Sequence, residues 1–148
     1  MASPSEGDRA PEFTLPGTDG EFALAAHRGQ RVVLLFYPGD NTPVCTRQFC
    51  SYRDHAEDVS DLGAVIVGIS NQDLDSHALF VAKHGLNVPL LADEDGAVAK
   101  SYGAWRPVVG TRRAVFAIDE EGVIRHRHMH ALGLDYQDVD ELRQALSF

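Results

Sequence analysis

Two cysteines stand five positions apart, at Cys45 and Cys50, and the first follows a helix-start signal. Thr42 is a favourable N-cap residue, and Pro43 suits the first helical position because its φ is preset and it has no amide to leave unpaired. Cys45 then lies beside free backbone N–H groups at the positive end of the helix dipole, and we expect the Thr42 hydroxyl close to it. These effects favour the thiolate, which is the nucleophilic form of cysteine.

The spacing of the two cysteines limits how they can bond. On an ideal helix their Cα atoms would be roughly 8–9 Å apart, whereas a disulfide needs no more than about 7 Å. If the pair forms a disulfide, the first turns of the helix must therefore unwind. The alternative is a pair of buried structural thiols. The helix start argues against that alternative for Cys45 and leaves Cys50 open.

Length, charge and composition bound the class of protein. The 148 residues suit one globular domain, and the net charge of −9 disfavours nucleic acid and anionic membranes as partners. Two cysteines are too few for a disulfide scaffold, and the polar N-terminus lacks the apolar stretch of a secretory signal. We therefore expect a cytoplasmic protein whose first ten residues are flexible.

The hydrophobic pattern predicts an α/β fold with a mixed central sheet. It indicates strands at 13–15, 22–24, 31–37, 64–70, 88–91, 113–118 and 123–129, and helices at 43–59, 74–84, 96–102 and 136–146. Alternating strands and helices imply right-handed parallel crossovers with helices on both faces, and the late hairpin implies antiparallel strands at one edge. Chemistry in such sheets lies beyond the carboxyl ends of central strands, which points to the loop after 31–37.

The residues of that loop carry a family resemblance. Pro38-x-x-x-Thr42-x-x-Cys45 resembles the active-site signature of the peroxiredoxins. The longer string FYPGDNTPVCTRQFC is similar to the bacterioferritin-comigratory-protein or peroxiredoxin Q subfamily, which often has a second cysteine five residues after the first. GDRAPEFTLPGTDG, VPLLAD and RRAVFAIDEEGVI extend the match over nearly the whole chain. The resemblance implies one thioredoxin-like domain over 1–148, with an N-terminal β-hairpin extension.

The resemblance also implies roles in peroxide reduction. Cys45 would be the peroxidatic cysteine, which attacks the O–O bond and becomes a sulfenic acid. Thr42 would hydrogen-bond the thiolate and the peroxide, and the Cys45 backbone N–H would hold a peroxide oxygen. Pro38 would shield the sulfenic acid from solvent.

The family's distant arginine has two candidates in this chain. Arg113 stands at the family's Arg-x-x-Phe spacing and would stabilise the thiolate and the transition state. Arg112 is its rival, and strand alternation allows only one of them to face the site. The subfamily often has Glu three residues after the peroxidatic cysteine, where this chain has Gln48, and we expect activity to survive the difference.

Cys50 would be the resolving cysteine. It would condense with the sulfenic acid to an intramolecular disulfide, which thioredoxin or a similar dithiol would reduce. The resemblance requires no cofactor and no metal. Because resolution within one chain needs no partner subunit, we expect a monomer or a weak dimer.

Other classes of function stay open at this point. A protein thiol–disulfide oxidoreductase fits the topology, although Cys-x-x-Cys is missing. A non-catalytic metal-binding module would use the cysteines with His126, His128 and His130, which alternate along a predicted strand, but a solvated strand end is the favoured interpretation of these histidines. A cysteine hydrolase is the weakest alternative, because no histidine is placed by sequence to serve Cys45.

Overall fold

A computed structural model describes residues 4–130 and 136–148 of the chain. The strands are β1 (Thr14–Leu15), β2 (Phe22–Ala23), β3 (Arg31–Phe36), β4 (Ala64–Ser70), β5 (Leu90–Ala92), β6 (Trp105–Arg106), β7 (Gly110–Thr111), β8 (Ala114–Ile118) and β9 (Ile124–Met129). The helices are α1 (Pro43–Asp54), α2 (Ala56–Ser60), α3 (Leu74–His84), α4 (Ala97–Ser101) and α5 (Val139–Ala145), and a 3₁₀ turn, Leu24–His27, follows β2.

A five-stranded sheet in the order β5-β4-β3-β8-β9 organises the described residues. The central strand β3 pairs in parallel with β4 and antiparallel with β8, so that Phe36 lies opposite Ala114. The strand β9 pairs antiparallel with β8, and β1 pairs with β2 in a separate hairpin. This confirms the predicted mixed sheet with a thioredoxin-like order and an N-terminal hairpin.

Both faces of the sheet are covered, which explains the continuous apolar run of β3. Val33 and Leu35 face a core built with α1, α3 and α5. Val32, Leu34 and Phe36 face a second core, built with α4 and the N-terminal hairpin. The alternation along β3 therefore places α1, with both cysteines, on the same face as α3.

Several predicted boundaries differ from the structure. The predicted helix 43–59 is two helices, because His55 adopts a non-helical conformation (φ −114°, ψ 40°) between α1 and α2. The last helix begins at Val139 because Asp138 and Glu141 form a capping box there. The short β6–β7 hairpin was not predicted, since two-residue strands leave almost no periodic signal. The prediction for α3 is correct, and Gly85 ends that helix in the left-handed conformation (φ 60°).

The N-terminal segment pairs with the start of β9. The Gly7 amide donates to the Ile124 carbonyl at 2.8 Å, the Ile124 amide donates to Asp8 at 2.9 Å, and the buried Ala10 donates to Gly122 at 2.9 Å. Residues 7–10 are therefore anchored by the sheet, which corrects the expected flexibility for that part of 1–10; residues 1–3 lie outside the described residues. Within the described chain, no helix has the length and hydrophobicity needed to cross a membrane.

Candidate active site

Cys45 lies in the first turn of α1, on the face that packs against the sheet. The helix has Thr42 as N-cap and Pro43 in its first turn, as predicted, and Cys45 is fully buried. The buried residues of α1 are spaced to lie on one face of the helix, and they are Cys45, Gln48, Phe49 and Tyr52. The Phe49 ring packs edge-to-face on Tyr37, with 4.8 Å between the ring centroids, and this contact helps to hold α1 against the sheet.

The Thr42 side chain does not have the predicted capping geometry. Its hydroxyl donates to the Gly39 carbonyl at 3.0 Å, inside the loop, and accepts no hydrogen bond from a helix N–H. No hydrogen bond joins it to Cys45 within the described chain. The backbone N–H groups around Cys45 are therefore not capped by Thr42, and they stay available to an anion at the helix start.

Arg113 contacts Cys45 from the strand next to β3 in the sheet. It immediately precedes β8, whose antiparallel register with β3 brings the start of β8 level with the end of β3. The Arg113 side chain is 1% exposed, and its Nη2 donates to Cys45 Sγ at 2.8 Å. Arg112 makes no such contact in the described residues. The structure thus places Arg113, and not its rival Arg112, beside the thiol.

The charge of Arg113 has an uncommon environment. Among the described residues it forms no ion pair with a carboxylate; its Nη1 donates to the buried amide oxygen of Gln48 instead. Gln48 donates in turn to the Tyr52 hydroxyl at 3.1 Å, and Tyr52 donates to the Gln137 carbonyl at 2.5 Å. Burial raises the pKa of Tyr52 well above its ordinary value, so Tyr52 remains a neutral donor in this chain of hydrogen bonds. A buried guanidinium is costly without a partner that accepts its N–H groups, and the sulfur of Cys45 is one of the two side-chain acceptors that contact it.

A second polar cluster lies under the loop that precedes Cys45. The buried carboxylate of Asp40 accepts from the Tyr37 hydroxyl, the Ser76 hydroxyl and His77 Nδ1, each at 2.7 Å. Burial alone would raise the pKa of Asp40, but the hydrogen bonds from His77, Tyr37 and Ser76 outweigh it and lower the pKa below its ordinary value. This cluster was not predicted, because Asp40 and His77 are 37 positions apart and no sequence motif links them.

Cys50 lies on the same uninterrupted helix as Cys45. It is half-buried, on the flank of the buried face of α1, and both thiols are free. The helical separation expected from the sequence therefore applies, and it is too long for a disulfide. Pro38 is the second residue after β3, directly after Tyr37, and it is half-buried in the loop.

The three alternating histidines lie on and just beyond β9. His126 is half-buried, His128 is exposed and His130 is buried, and the rings of His128 and His130 meet at 4.3 Å. In residues 4–130 and 136–148, no three His, Cys, Asp or Glu side chains converge in a way that would hold a metal ion.

The site and the fold indicate a cysteine-dependent redox protein of thioredoxin-like fold. The features that point to this class are the buried cysteine at a helix start, the guanidinium on its sulfur and the order of the strands in the sheet. Residues 6–127 match the model of the AhpC/TSA family. The chain belongs to the AhpC/TSA family, and within it to the peroxiredoxins, which are thiol-dependent peroxidases. The resemblance inferred from the loop is thereby confirmed.

Individual relatives agree with this assignment. A protein of Mycobacterium tuberculosis (strain ATCC 25618 / H37Rv) named as a peroxiredoxin is 40% identical over 151 residues, which cover 95% of this chain and 94% of that one. The crystal structure of peroxidoxin BcpB from M. tuberculosis matches with a TM-score of 0.83 and 29% identity, over 97% of this chain and 95% of that one. A Xanthomonas campestris peroxiredoxin Q structure matches with a TM-score of 0.79 and 28% identity, over 90% and 89%.

Proposed function

We propose that Cys45 is the peroxidatic cysteine and reduces hydrogen peroxide and organic hydroperoxides. The observation that carries this proposal is the buried contact of 2.8 Å between Arg113 Nη2 and Cys45 Sγ, with no carboxylate paired to Arg113 in the described part of the chain. Arg113 and the N-terminus of α1 both stabilise a thiolate there. The thiol would thus be held as a nucleophile beyond the carboxyl end of β3, where the substrate would bind.

The chemical step transfers one oxygen atom to sulfur. The Cys45 thiolate attacks the terminal peroxide oxygen, the S–O bond forms and the O–O bond breaks. The leaving hydroxide or alkoxide takes a proton and departs as water or alcohol, while Cys45 becomes a sulfenic acid. Negative charge moves from sulfur to the leaving oxygen, so fixed donors near that oxygen accelerate the step.

Three groups supply those donors. Arg113 has five N–H donors, of which the contacts with Cys45 and Gln48 use two, so others stay available for a peroxide oxygen. The Cys45 backbone N–H at the helix start is a second donor. The Thr42 hydroxyl would exchange its bond to the Gly39 carbonyl for one to the peroxide. Pro38, beside this loop, would limit the access of water to the sulfenic acid.

We assign Cys50 as the resolving cysteine. Its thiolate would attack the Cys45 sulfenic sulfur; the S–S bond forms, the S–O bond breaks, and hydroxide leaves as water after taking a proton. Because both cysteines lie on intact α1, the first turns of the helix must unwind beforehand. Phe49 and Tyr52 are fully buried and would keep the second half of the helix docked, so the opening is confined to the turns around Cys45.

The disulfide would then be reduced by a thioredoxin-type dithiol, which gives up two electrons and two protons and becomes a disulfide itself. This cycle uses only sulfur chemistry, so it needs neither cofactor nor metal. It is complete within one chain, which fits a monomer or a weak dimer. A reducing cytoplasm would provide the dithiol.

The test is one equivalent of hydrogen peroxide added to the reduced protein, with free thiols and intact mass measured within seconds. We expect the loss of two thiols and two mass units. Cys50→Ser should stop at a sulfenic acid, trapped by a dimedone probe, and Cys45→Ser should not react quickly. A fast reaction in Cys45→Ser would overturn the proposal, and a persistent sulfenic acid in the wild type would remove Cys50 from it. Rapid insulin reduction without peroxide turnover would favour the thiol–disulfide oxidoreductase.

A further inference from the structure

The loop between β3 and α1 is held on its inner side by a buried polar cluster that the peroxidase chemistry does not use. The cluster consists of Tyr37, Asp40, Ser76 and His77. Asp40 is 6% exposed and His77 is completely buried. The carboxylate receives three hydrogen bonds of 2.7 Å, and the Asp40 backbone amide donates to the Gln72 side chain. Asp40 is therefore tied to both the end of β3 and the start of α3.

The two elements that hold Asp40 are fixed in the core. Tyr37 is fully buried against Phe49, and His77 lies on α3, which packs on the same face of the sheet as α1. Asp73 caps α3 by accepting the Ser76 amide at 2.8 Å, which fixes the turn that presents Ser76 and His77. Ser76 and His77 are thus held in place by α3, whereas Tyr37 also packs against Phe49 of α1.

The hydrogen bonds also define the state of His77. Its Nδ1 faces a carboxylate that already accepts two hydroxyls, so Nδ1 carries the proton and donates. Its Nε2 is buried and has no hydrogen-bond partner among residues 4–130 and 136–148. Nδ1 therefore joins the ring to Asp40 at 2.7 Å, and the same atom lies 3.2 Å from the Tyr37 hydroxyl.

We propose that Asp40 is a positioning residue, which fastens the loop ahead of Cys45 to α3 and so sets how often the first turns of α1 open. Asn41, the next residue, is in the left-handed conformation (φ 64°), and helix α1 starts two residues later. Any unwinding that carries Cys45 toward Cys50 must begin at this fastened point. The consequence for catalysis rests on the proposed function, whereas the effect on opening does not.

The expected consequence is a choice between two fates of the sulfenic acid. While α1 stays closed, Cys45 keeps its place beside Arg113, and a second peroxide can oxidise the sulfenic acid to sulfinic acid. When α1 opens, Cys50 can form the disulfide. A firmly held Asp40 therefore keeps α1 closed, which favours oxidation by peroxide and slows disulfide formation. A loosened Asp40 favours the disulfide over the sulfinic acid.

The test compares Asp40→Asn with the matched control Asp93→Asn. Asp93 is another buried acid, 1% exposed, but its carboxylate accepts the Val98 and Ala99 amides at the start of α4 and does not touch the loop. Amide hydrogen exchange of the reduced proteins needs no peroxide chemistry. We expect exchange in the first turns of α1 to rise about tenfold in Asp40→Asn, the scale of one lost charge-assisted hydrogen bond, and not in Asp93→Asn.

Smaller changes keep the test valid if Asp40→Asn folds poorly. Tyr37→Phe and Ser76→Ala each remove one donor and should raise α1 exchange by a few-fold. His77→Asn keeps an N–H donor near the position of Nδ1 and should restore closure that His77→Leu loses. With peroxide, Asp40→Asn should need about tenfold more peroxide for half-conversion of Cys45 to sulfinic acid.

The outcomes separate the two proposals. Equal α1 exchange in Asp40→Asn and Asp93→Asn would overturn the positioning role. So would an unchanged ratio of disulfide to sulfinic acid in a peroxide-active protein. Suppose that α1 exchanges faster in Asp40→Asn than in the wild type, but that the wild type does not consume peroxide. That result would support the positioning role and remove the peroxidase assignment.

Discussion

Arg113 Nη2 lies 2.8 Å from the sulfur of Cys45, although the two residues are 68 positions apart in the sequence. The contact exists because β8 runs antiparallel to β3, so the residue before one strand meets the loop after the other. Gln48, a neutral acceptor, holds the same guanidinium from the side. A buried cation thus contacts the sulfur of Cys45 and the amide oxygen of Gln48, and no described carboxylate.

Removing that cation should slow the first chemical step strongly. We expect Arg113→Ala to lower the second-order rate constant for peroxide by about 10²–10³, the usual scale for one transition-state donor. Arg113→Lys keeps the charge and loses the forked geometry, so we expect a loss of at least about tenfold. Stopped-flow measurement of sulfenic acid formation tests this. The control is Arg112→Ala, which should stay within about twofold; a reversal of the two arginines would contradict the assignment.

The Thr42 hydroxyl offers a nearly isosteric test. Thr42→Val keeps the β-branched shape but cannot donate to Gly39 or to a peroxide, and we expect a loss of about tenfold to a hundredfold in peroxide rate. Thr42→Ser restores the hydroxyl and should recover most of the rate. A Thr42→Val variant as fast as Thr42→Ser would show that the hydroxyl does not contribute to the peroxide rate.

Gln48 should act by holding Arg113. Gln48→Met has a similar volume but no polar group, so Arg113 and Tyr52 each lose a partner, and we expect about tenfold slower peroxide reduction. Gln48→Glu retains an acceptor for Arg113 and should keep most of the activity. The comparison uses the same stopped-flow assay, with thermal unfolding to check both variants; a Met variant as fast as the wild type would remove the anchoring role.

Asp40 should shape the stability of the protein in acid. Its pKa is lowered in the folded chain, so between that value and the ordinary value of about 3.9 the unfolded chain binds more protons. The free energy of unfolding therefore falls as pH falls through this window, and the full contribution is present above about pH 5. Asp40→Asn should be less stable by about 1–3 kcal/mol at neutral pH, with a flatter acid limb.

Urea unfolding at steps between about pH 2 and pH 7 measures that difference. Other acids with lowered pKa values, such as Asp119, remain in both proteins and cancel in the comparison. Parallel curves for wild type and variant over the acid range would show that Asp40 is not the group responsible.

Oxidation should unwind the start of α1. Once the disulfide has formed, amide exchange in the first turns of α1, around Cys45, should approach that of an open loop, while β3 and β8 stay protected. The protected second half of α1, around Phe49, serves as an internal reference. Unchanged exchange after complete loss of both thiols would mean that the pair bonds without the helix opening.

The sequence predicted most of what local chemistry determines. Thr42 and Pro43 mark the helix start and the apolar run marks the central strand. The preference for Arg113 over its rival Arg112 came from the family's Arg-x-x-Phe spacing and not from local chemistry. The side-chain partners were not predictable in the same way. Thr42 bonds to Gly39 instead of the helix, and Asp40 finds Ser76 and His77 on a helix more than thirty positions later, because packing of α3 against β3 decides those contacts.

The antiparallel pairing of β3 with β8 has a consequence for the life of the nascent chain. Cys45 leaves the ribosome long before Arg113, and the N-terminal part of the chain begins to compact first. Until β8 joins the sheet, Cys45 lacks its contact with the Arg113 guanidinium. If Cys45 is the peroxidatic cysteine proposed above, we expect its reactivity toward peroxide to develop only when the chain is nearly complete.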